Sequence, residues 1–392
     1  MIDVAQPTTA RPGTRAQPAP LAFLRRLDWI LLAAALGLVG YGLWVVSGIT
    51  RFDVPGDGDY YVARQGIAAA LGLAALVVAT LIPIDLARRQ WRLLYGATLA
   101  LMVVVFAIAE AVRGSKRWID LGPVQFQPSE LGKVLLVLAI AGFLASNASR
   151  VTRWRTIAIA LGLGGAPILL VFLQPDLGTA LVYSAALFGV LFFAGVRWRQ
   201  LFVLLAVAVI GVLSVLWILP SAGIQVLKPY QAARLTLDPK ADPRGITYNL
   251  NQSITAVGSG GLTGRGPVEA TQTRLDYLPE HATDFAFASL AEQRGFVGSS
   301  ILLLLYLLVV WRGLRVVTVA GDFYGAVVAG GLVVAFLFQV FVNIGMTMGL
   351  APVTGIPLPF VAVGGSSLVT SLLLIGVLQG IHARGELGVR AP

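Results

Sequence analysis

Four acidic residues and one lysine stand where their neighbours leave them little water. Asp284 falls in Leu278-Pro279-Glu280-His281-Ala282-Thr283-Asp284-Phe285, just before a long apolar run. A carboxylate partly withdrawn from water has its pKa tuned by desolvation and nearby charge, so Asp284 is a candidate general base; a helix N-cap without chemistry is the competing reading. Glu130 and Lys133 lie in Gln127-Pro128-Ser129-Glu130-Leu131-Gly132-Lys133, where Pro128 and Ser129 suit a helix start. Their three-residue spacing puts both on one helix face. Lys133 opens an otherwise uncharged run to Ala145, which favours an inward-facing pair over a self-neutralising surface pair. Asp176, in Gln174-Pro175-Asp176-Leu177-Gly178-Thr179, occupies a tight turn, where capping the next helix competes with a direct role. Glu292 lies further along the helix that Asp284 opens and is read as a buried ion-pair partner of Arg294.

The elements that must position these groups are membrane spans. The 392-residue chain is 57% hydrophobic and only 12% charged, against about 25% charged in a soluble domain, so lipid must be its solvent. Segments of about 20 apolar residues can cross the hydrocarbon core, and the pattern predicts about ten: roughly 29–49, 65–84, 93–112, 130–146, 157–174, 177–195, 201–220, 284–311, 325–345 and 360–381. In the eighth the clean apolar run starts only near Phe296. The expected class is thus an all-α integral membrane protein. A cytoplasmic tail covers 1–28, one polytopic domain covers 29–383 with a loop from about 221 to 283 between the seventh and eighth spans, and a second short tail covers 384–392. Short basic connections carry Arg88, Arg89 and Arg92, then Arg150, Arg153 and Arg155, then Arg197 and Arg199, then Arg312 and Arg315. Positive residues mark the cytoplasmic side, so both termini are read as cytoplasmic and the long loop as extracytoplasmic.

Cations on the opposite side need another reason. Arg113, Lys116 and Arg117 follow the third span, and Lys228, Arg234, Lys240, Arg244, Arg265 and Arg274 populate the long loop. Either they form a solvated loop surface or they meet an anionic ligand, such as a diphosphate, at the outer membrane face. Pro352-Val353-Thr354-Gly355-Ile356-Pro357-Leu358-Pro359-Phe360 reads as a re-entrant segment, tolerated at membrane depth only against protein or a water-filled cavity. Gly364-Gly365-Ser366-Ser367 then permits close packing. His281 and His382 are the only histidines and cysteine is absent, which leaves no zinc-type ligand set. A Walker phosphate loop is missing as well, since Gly258-Ser259-Gly260-Gly261 and Gly264-Arg265-Gly266 lack its ending.

Several of these stretches, in order along the chain, resemble one family. Arg117-Trp118-Ile119 with Leu121-Gly122, Phe126-Gln127-Pro128-Ser129-Glu130, Gln174-Pro175-Asp176-Leu177-Gly178, Gly258-Ser259-Gly260-Gly261, Leu278-Pro279-Glu280 with Thr283-Asp284-Phe285, and Thr354-Gly355-Ile356-Pro357-Leu358-Pro359-Phe360 are similar to signatures of the SEDS family (shape, elongation, division and sporulation). Thr271-Gln272 and Pro352-Val353-Thr354-Gly355 look RodA-like more than FtsW-like. The chain departs from the family pattern where Ala282 replaces the histidine before Thr283 and His281 stands one place earlier. Arg265 replaces a common lysine, Ala362-Val363 replaces Ser-Tyr, and Gln293 replaces a second acidic residue.

The resemblance implies a peptidoglycan glycosyltransferase in the bacterial cytoplasmic (inner) membrane that polymerises lipid II at its outer face for cell elongation. Asp284 would be the catalytic base. Glu130, Lys133, Lys116, Arg117, Asp176, Arg265, Gln272 and Ser366 would bind substrate. A divalent cation, Mg²⁺ for preference, would help neutralise the departing diphosphate. The resemblance also implies a class B penicillin-binding protein and other elongation-complex proteins as partners. A lipid-linked oligosaccharide flippase and a non-catalytic scaffold of a cell-wall complex are the rival readings.

Overall fold

The computed structural model describes residues 23–108, 117–120, 125–223 and 246–389. Among these, eight helices are long and apolar enough to cross a membrane: α1 (Trp29–Ile49), α2 (Tyr60–Leu81), α5 (Pro128–Ser146), α6 (Trp154–Leu173), α8 (Trp198–Leu213, continued to Ser221), α12 (Ala286–Val319), α13 (Phe323–Thr347) and α14 (Gly365–Val389). Two shorter apolar helices, α4 (Trp91–Ile108) and α7 (Leu177–Phe193), lie over the third and sixth apolar stretches of the sequence. The short α3 (Ile84–Arg89) joins α2 to α4, and α9 (Ile246–Ser259), α10 (Gly266–Glu269) and α11 (Thr271–Arg274) lie before α12. The one strand pairing among the described residues is two residues long, β1 (Ile119–Asp120) antiparallel to β2 (Gln125–Phe126).

Burial sorts the helices into an inner and an outer set. α5, α13 and α14 are buried along most of their length, and α13 packs on α7, α12 and α5 while α14 packs on α2. α8 is the opposite, with Phe202, Val207, Ile210 and Trp217 exposed along it. Exposed side chains of that kind on a whole helix suit lipid and not water.

The last two spans enclose the least regular stretch. Residues 352–364 form no helix, yet Val353, Thr354, Ile356, Leu358 and Phe360 are all buried. Non-helical backbone inside a bundle must find partners within the protein, and it does so: Tyr306 donates to the Pro359 carbonyl, Asn343 to Ile356 and Gln339 to Pro357. The segment runs on past Phe360, whose φ is 69°, so the last helix begins at Gly365 and not near 360.

α12 is two helices joined at Gly295, whose φ of 64° and ψ of −160° break the helical path. That break lies one residue before the point where the apolar run becomes clean. The glycine-rich loop of 260–265 satisfies the groups it frees: Arg265 N–H donates to the Glu292 carbonyl at 2.9 Å, while Phe296 and Val297 N–H donate to Gly261 and Leu262 at 2.8 and 3.0 Å. A Cβ at Gly295 would fall 2.4 Å from the Gly264 nitrogen, so no side chain fits there.

At the opposite end Asp28 caps α1 through the Leu31 N–H and pairs with Arg312 of α12 at 2.7 Å. Gln379 of α14 bonds both the N–H and the carbonyl of Asp28. Three helices are thereby tied together around one buried ion pair.

Candidate active site

Pro128 occupies the first turn of α5 and Gln127 its N-cap, which aims the start of the helix into the bundle. Glu130 and Lys133 follow on the same face and meet at 2.7 Å, with 2% and 5% of their surfaces exposed. Lys133 Nζ also donates to Gln339 Oε1 of α13 at 2.7 Å. One turn on, Asn343 Nδ2 donates to the main-chain carbonyl of Asp284 at 2.9 Å and to that of Ile356 at 2.7 Å. Four residues of helix rise about 6 Å. Gln339 and Asn343 therefore bring the Lys133 ammonium and the turn bearing Asp284 onto one short stretch of α13.

The turn before α7 joins the same cluster. Asp176 Oδ1 accepts from the Thr179 N–H at 3.0 Å, so it is the N-cap of α7. Its Oδ2 accepts from Gln127 Nε2 at 3.1 Å, and the Arg117 guanidinium lies 3.8 Å from Oδ1. Arg117 also donates to the Pro175 carbonyl. Capping and the polar cluster thus share one carboxylate. A Cβ on Gly178 would sit 2.6 Å from the Thr354 carbonyl, so this glycine lets α7 start against the re-entrant segment. Ser366, at the start of α14, accepts from the Gln127 N–H at 2.8 Å and donates to the Gln125 carbonyl at 2.7 Å. Gln127 thus links the N-terminal ends of α5, α7 and α14, where helix dipoles favour an anion.

Asp284 is half-buried, and Phe285, not Asp284, is the N-cap of α12. Its turn is held from several sides. Glu280, at a left-handed φ of 60°, accepts from the Thr283 hydroxyl at 2.8 Å. Val363 N–H donates to the Ala282 carbonyl at 2.8 Å. His281 Nε2 lies 3.1 Å from Asp53, in the loop between α1 and α2. Burial alone would lower the pKa of His281, but the hydrogen bond and charge of Asp53, together with the charge of Asp276, outweigh it and raise the pKa above the usual histidine value.

The remaining expected residues divide differently. Glu292, fully buried, is not paired with Arg294: its carboxylate accepts from the Gln272 N–H at 2.9 Å, the Thr273 N–H at 3.0 Å and the Thr273 hydroxyl at 2.7 Å. Two orphan N–H groups at the start of α11 and the Thr273 hydroxyl offer three donors in one place, whereas residues two apart on a helix, such as Glu292 and Arg294, do not face each other. Arg294 stacks on the Trp44 ring at 3.9 Å instead. Gln272 and Arg265 therefore belong to a layer built on Glu292 and the Gly295 break. Arg265 is exposed, with its Nε donating to the Ser259 carbonyl at 3.0 Å. Lys116 lies outside the described residues, as do Arg113, Lys228, Arg234, Lys240 and Arg244. No three His, Asp or Glu side chains converge as a metal site among the described residues. Gln339 and Asn343 escaped the sequence reading; two amides four residues apart in an otherwise apolar span were the available signal.

Residues 25–386 match the model of the FtsW/RodA/SpoVE cell cycle proteins. The chain belongs to this family. It is 38% identical over 362 residues to the peptidoglycan glycosyltransferase MrdB of Escherichia coli K12, covering 92% of this chain and 96% of that protein. Stage V sporulation protein E of Bacillus subtilis is 34% identical over 365 residues, covering 90% and 96%. Among solved structures, a chain described under structural coordination of polymerization and crosslinking by a peptidoglycan synthase complex is 31% identical, with a TM-score of 0.76 over 92% of this chain and 98% of that one. The rod shape determining protein RodA of Thermus thermophilus gives 0.66 at 29% identity, covering 91% and 96%. The family member described here is accordingly a multi-pass membrane protein with a RodA-like fold.

Proposed function

We propose that this chain is a RodA-like peptidoglycan glycosyltransferase that polymerises lipid II at the outer face of the bacterial cytoplasmic membrane. In this reading ten spans cross the bilayer with both termini in the cytoplasm, and the region between α8 and α12 lies outside. The observation that carries it is the amide pair of α13, which ties the Lys133–Glu130 pair and the turn of Asp284 to one face of one helix. The names of the relatives as peptidoglycan glycosyltransferases support the same activity.

Lipid II carries a disaccharide-peptide on a polyprenyl diphosphate, so its reacting carbon sits at the boundary between lipid and water. The 4-hydroxyl of one sugar attacks the anomeric carbon of another, the carbon–oxygen bond to the diphosphate breaks, and a glycosidic bond forms. Asp284 takes the hydroxyl proton as that bond develops. The transition state is oxocarbenium-like, with negative charge growing on the leaving diphosphate. Lys133 and Arg117, with the N-terminal ends of α5, α7 and α14, supply positive potential for it. Gln127 Oε1, Asn343 Oδ1 and Ser367 Oγ are buried without a hydrogen-bond partner among the described residues, which suits acceptors for sugar hydroxyls or water.

The described carboxylates form no cage of their own, so a divalent ion would arrive with the diphosphate oxygens, the mode Mg²⁺ commonly adopts. A class B penicillin-binding protein and other elongation-complex proteins are the proposed partners, in keeping with the synthase-complex structure above. The test is polymerisation of purified lipid II by the purified chain in detergent, where no bilayer remains to be crossed. Glycan strands that disappear in Asp284→Asn, and that depend on divalent ions, support the assignment. An Asp284→Asn chain that polymerises normally ends it, leaving a scaffold; absence of product from the wild type with and without a transpeptidase partner favours a flippase.

A further inference from the structure

One titratable side chain lies close to the proposed base and has no part in the chemistry above. His281 is nine-tenths buried, three residues before Asp284, and its two ring nitrogens face two different carboxylates. Nε2 lies 3.1 and 3.2 Å from the two oxygens of Asp53, which comes from the loop between α1 and α2. Nδ1 lies 3.8 Å from Asp276, on the same loop as His281 and at a left-handed φ of 55°. A neutral imidazole has one N–H, so it can donate toward only one of them; the imidazolium has a donor on each side. Charged groups packed beside the pair are Arg274, whose guanidinium lies 5.4 Å over the Phe52 ring, and Arg51, 6.0 Å from the same ring. The Phe52–Asp53 step is therefore gripped at two adjacent points by the segment leading to Asp284.

Three further ties on that turn do not titrate near neutral pH. Asn343 holds the Asp284 carbonyl, Val363 N–H holds the Ala282 carbonyl, and the Ser289 hydroxyl holds the His281 carbonyl at 3.2 Å. All three come from helices or from the re-entrant segment. The His281–Asp53 ion pair connects the turn to the first loop by charge.

The geometry points to His281 as a positioning residue: as an imidazolium bound to Asp53 through Nε2, with the Asp276 carboxylate 3.8 Å from Nδ1, it clamps the loop between α1 and α2 onto the turn that presents Asp284. This deepens the glycosyltransferase reading and rests on it. The charge-assisted clamp is fully present below the usual histidine value and is lost as pH rises through the elevated pKa of the ring. Polymerisation by the wild-type chain should then fall on the alkaline side, through kcat more than through KM. A loosened catalytic group costs about 10- to 100-fold in rate.

The test compares wild type, His281→Gln, His281→Lys and Asp53→Asn in lipid II polymerisation between pH 6 and pH 9. His281→Gln and Asp53→Asn should be slow at every pH, while His281→Lys, with a permanent charge, should keep its rate where the wild type declines. A His281→Gln chain with the wild-type rate and pH profile overturns the clamp. The second arm needs no catalysis: amide hydrogen exchange across 277–285 in the Asp284→Asn chain. Exchange that quickens with pH beyond its intrinsic rate, and quickens at all pH values in the added His281→Gln variant, supports the clamp even if no variant polymerises, in which case the glycosyltransferase reading alone fails. Exchange indifferent to both changes removes it.

Discussion

The Glu130–Lys133 pair allows chemistry and folding to be separated by experiment. Lys133→Met removes an ammonium that bonds both Glu130 and Gln339 at 2.7 Å. Glu130, only 2% exposed, is then left as a buried charge without its lysine, which costs about 3–5 kcal/mol. Gln339 Oε1 also loses its donor, which adds about 1–3 kcal/mol. Glu130→Gln/Lys133→Met removes both charges together and should recover most of the first loss, because two similar neutral side chains in place of a buried ion pair are often close to neutral for stability. The assay is SDS-induced unfolding in detergent micelles, followed by tryptophan fluorescence, for the wild type, both single variants and the double variant. The expected coupling between the two positions is about 3 kcal/mol, at the upper end for residues in contact. Lipid II polymerisation is then measured on the same samples. A stable but inactive double variant assigns the Glu130–Lys133 pair to the chemistry. Additive single losses would refute the coupling, and a double variant with wild-type activity would leave Lys133 a structural role.

Further outcomes follow from the same contacts. Asp284→Asn should keep the wild-type unfolding curve and yield no glycan polymer on a gel of labelled lipid II product. Asn343→Leu keeps the bulk of the side chain but removes both donors to the Asp284 and Ile356 carbonyls; polymerisation should fall about 100-fold, as for a misplaced catalytic group, with membrane insertion retained by fractionation. Gly295→Ala should destabilise the chain strongly and expose the 260–265 loop to limited proteolysis, because its Cβ would meet the Gly264 nitrogen at 2.4 Å. The contribution of His281 to stability has a definite sign. With its folded pKa raised, the stabilisation is complete below the unfolded value of about 6.5 and fades as pH rises through the folded one, so unfolding midpoints of wild type and His281→Gln should converge on the alkaline side.

Much of the fold was legible because a bilayer imposes one strong rule: long apolar runs become helices. The rule did not extend to the break in α12: the late start of the clean run near Phe296 was visible, but the non-helical Gly295 just before it was not anticipated. Spacing alone also placed Glu130 over Lys133, because helix geometry is local. What escaped is long-range. The partners of Glu292 lie 19 and 20 positions earlier and Asp28 meets Arg312 across 284, and neither pairing follows from local periodicity. The same holds for Gln127, whose backbone N–H and side chain reach Ser366 and Asp176 in two other helices. The amides of α13 were visible as letters, but only their neighbours give them a purpose.

Gln339 and Asn343 sit on one uninterrupted stretch of helix, and a helix is stiff along its axis. The spacing between the lysine's acceptor and the anchor of the aspartate turn is therefore set by helical pitch and not by the lengths of loops. If α13 slides or rotates when a lipid tail or a partner's span presses on it, both groups travel together. Their mutual geometry survives, and only their register with the bound sugars changes.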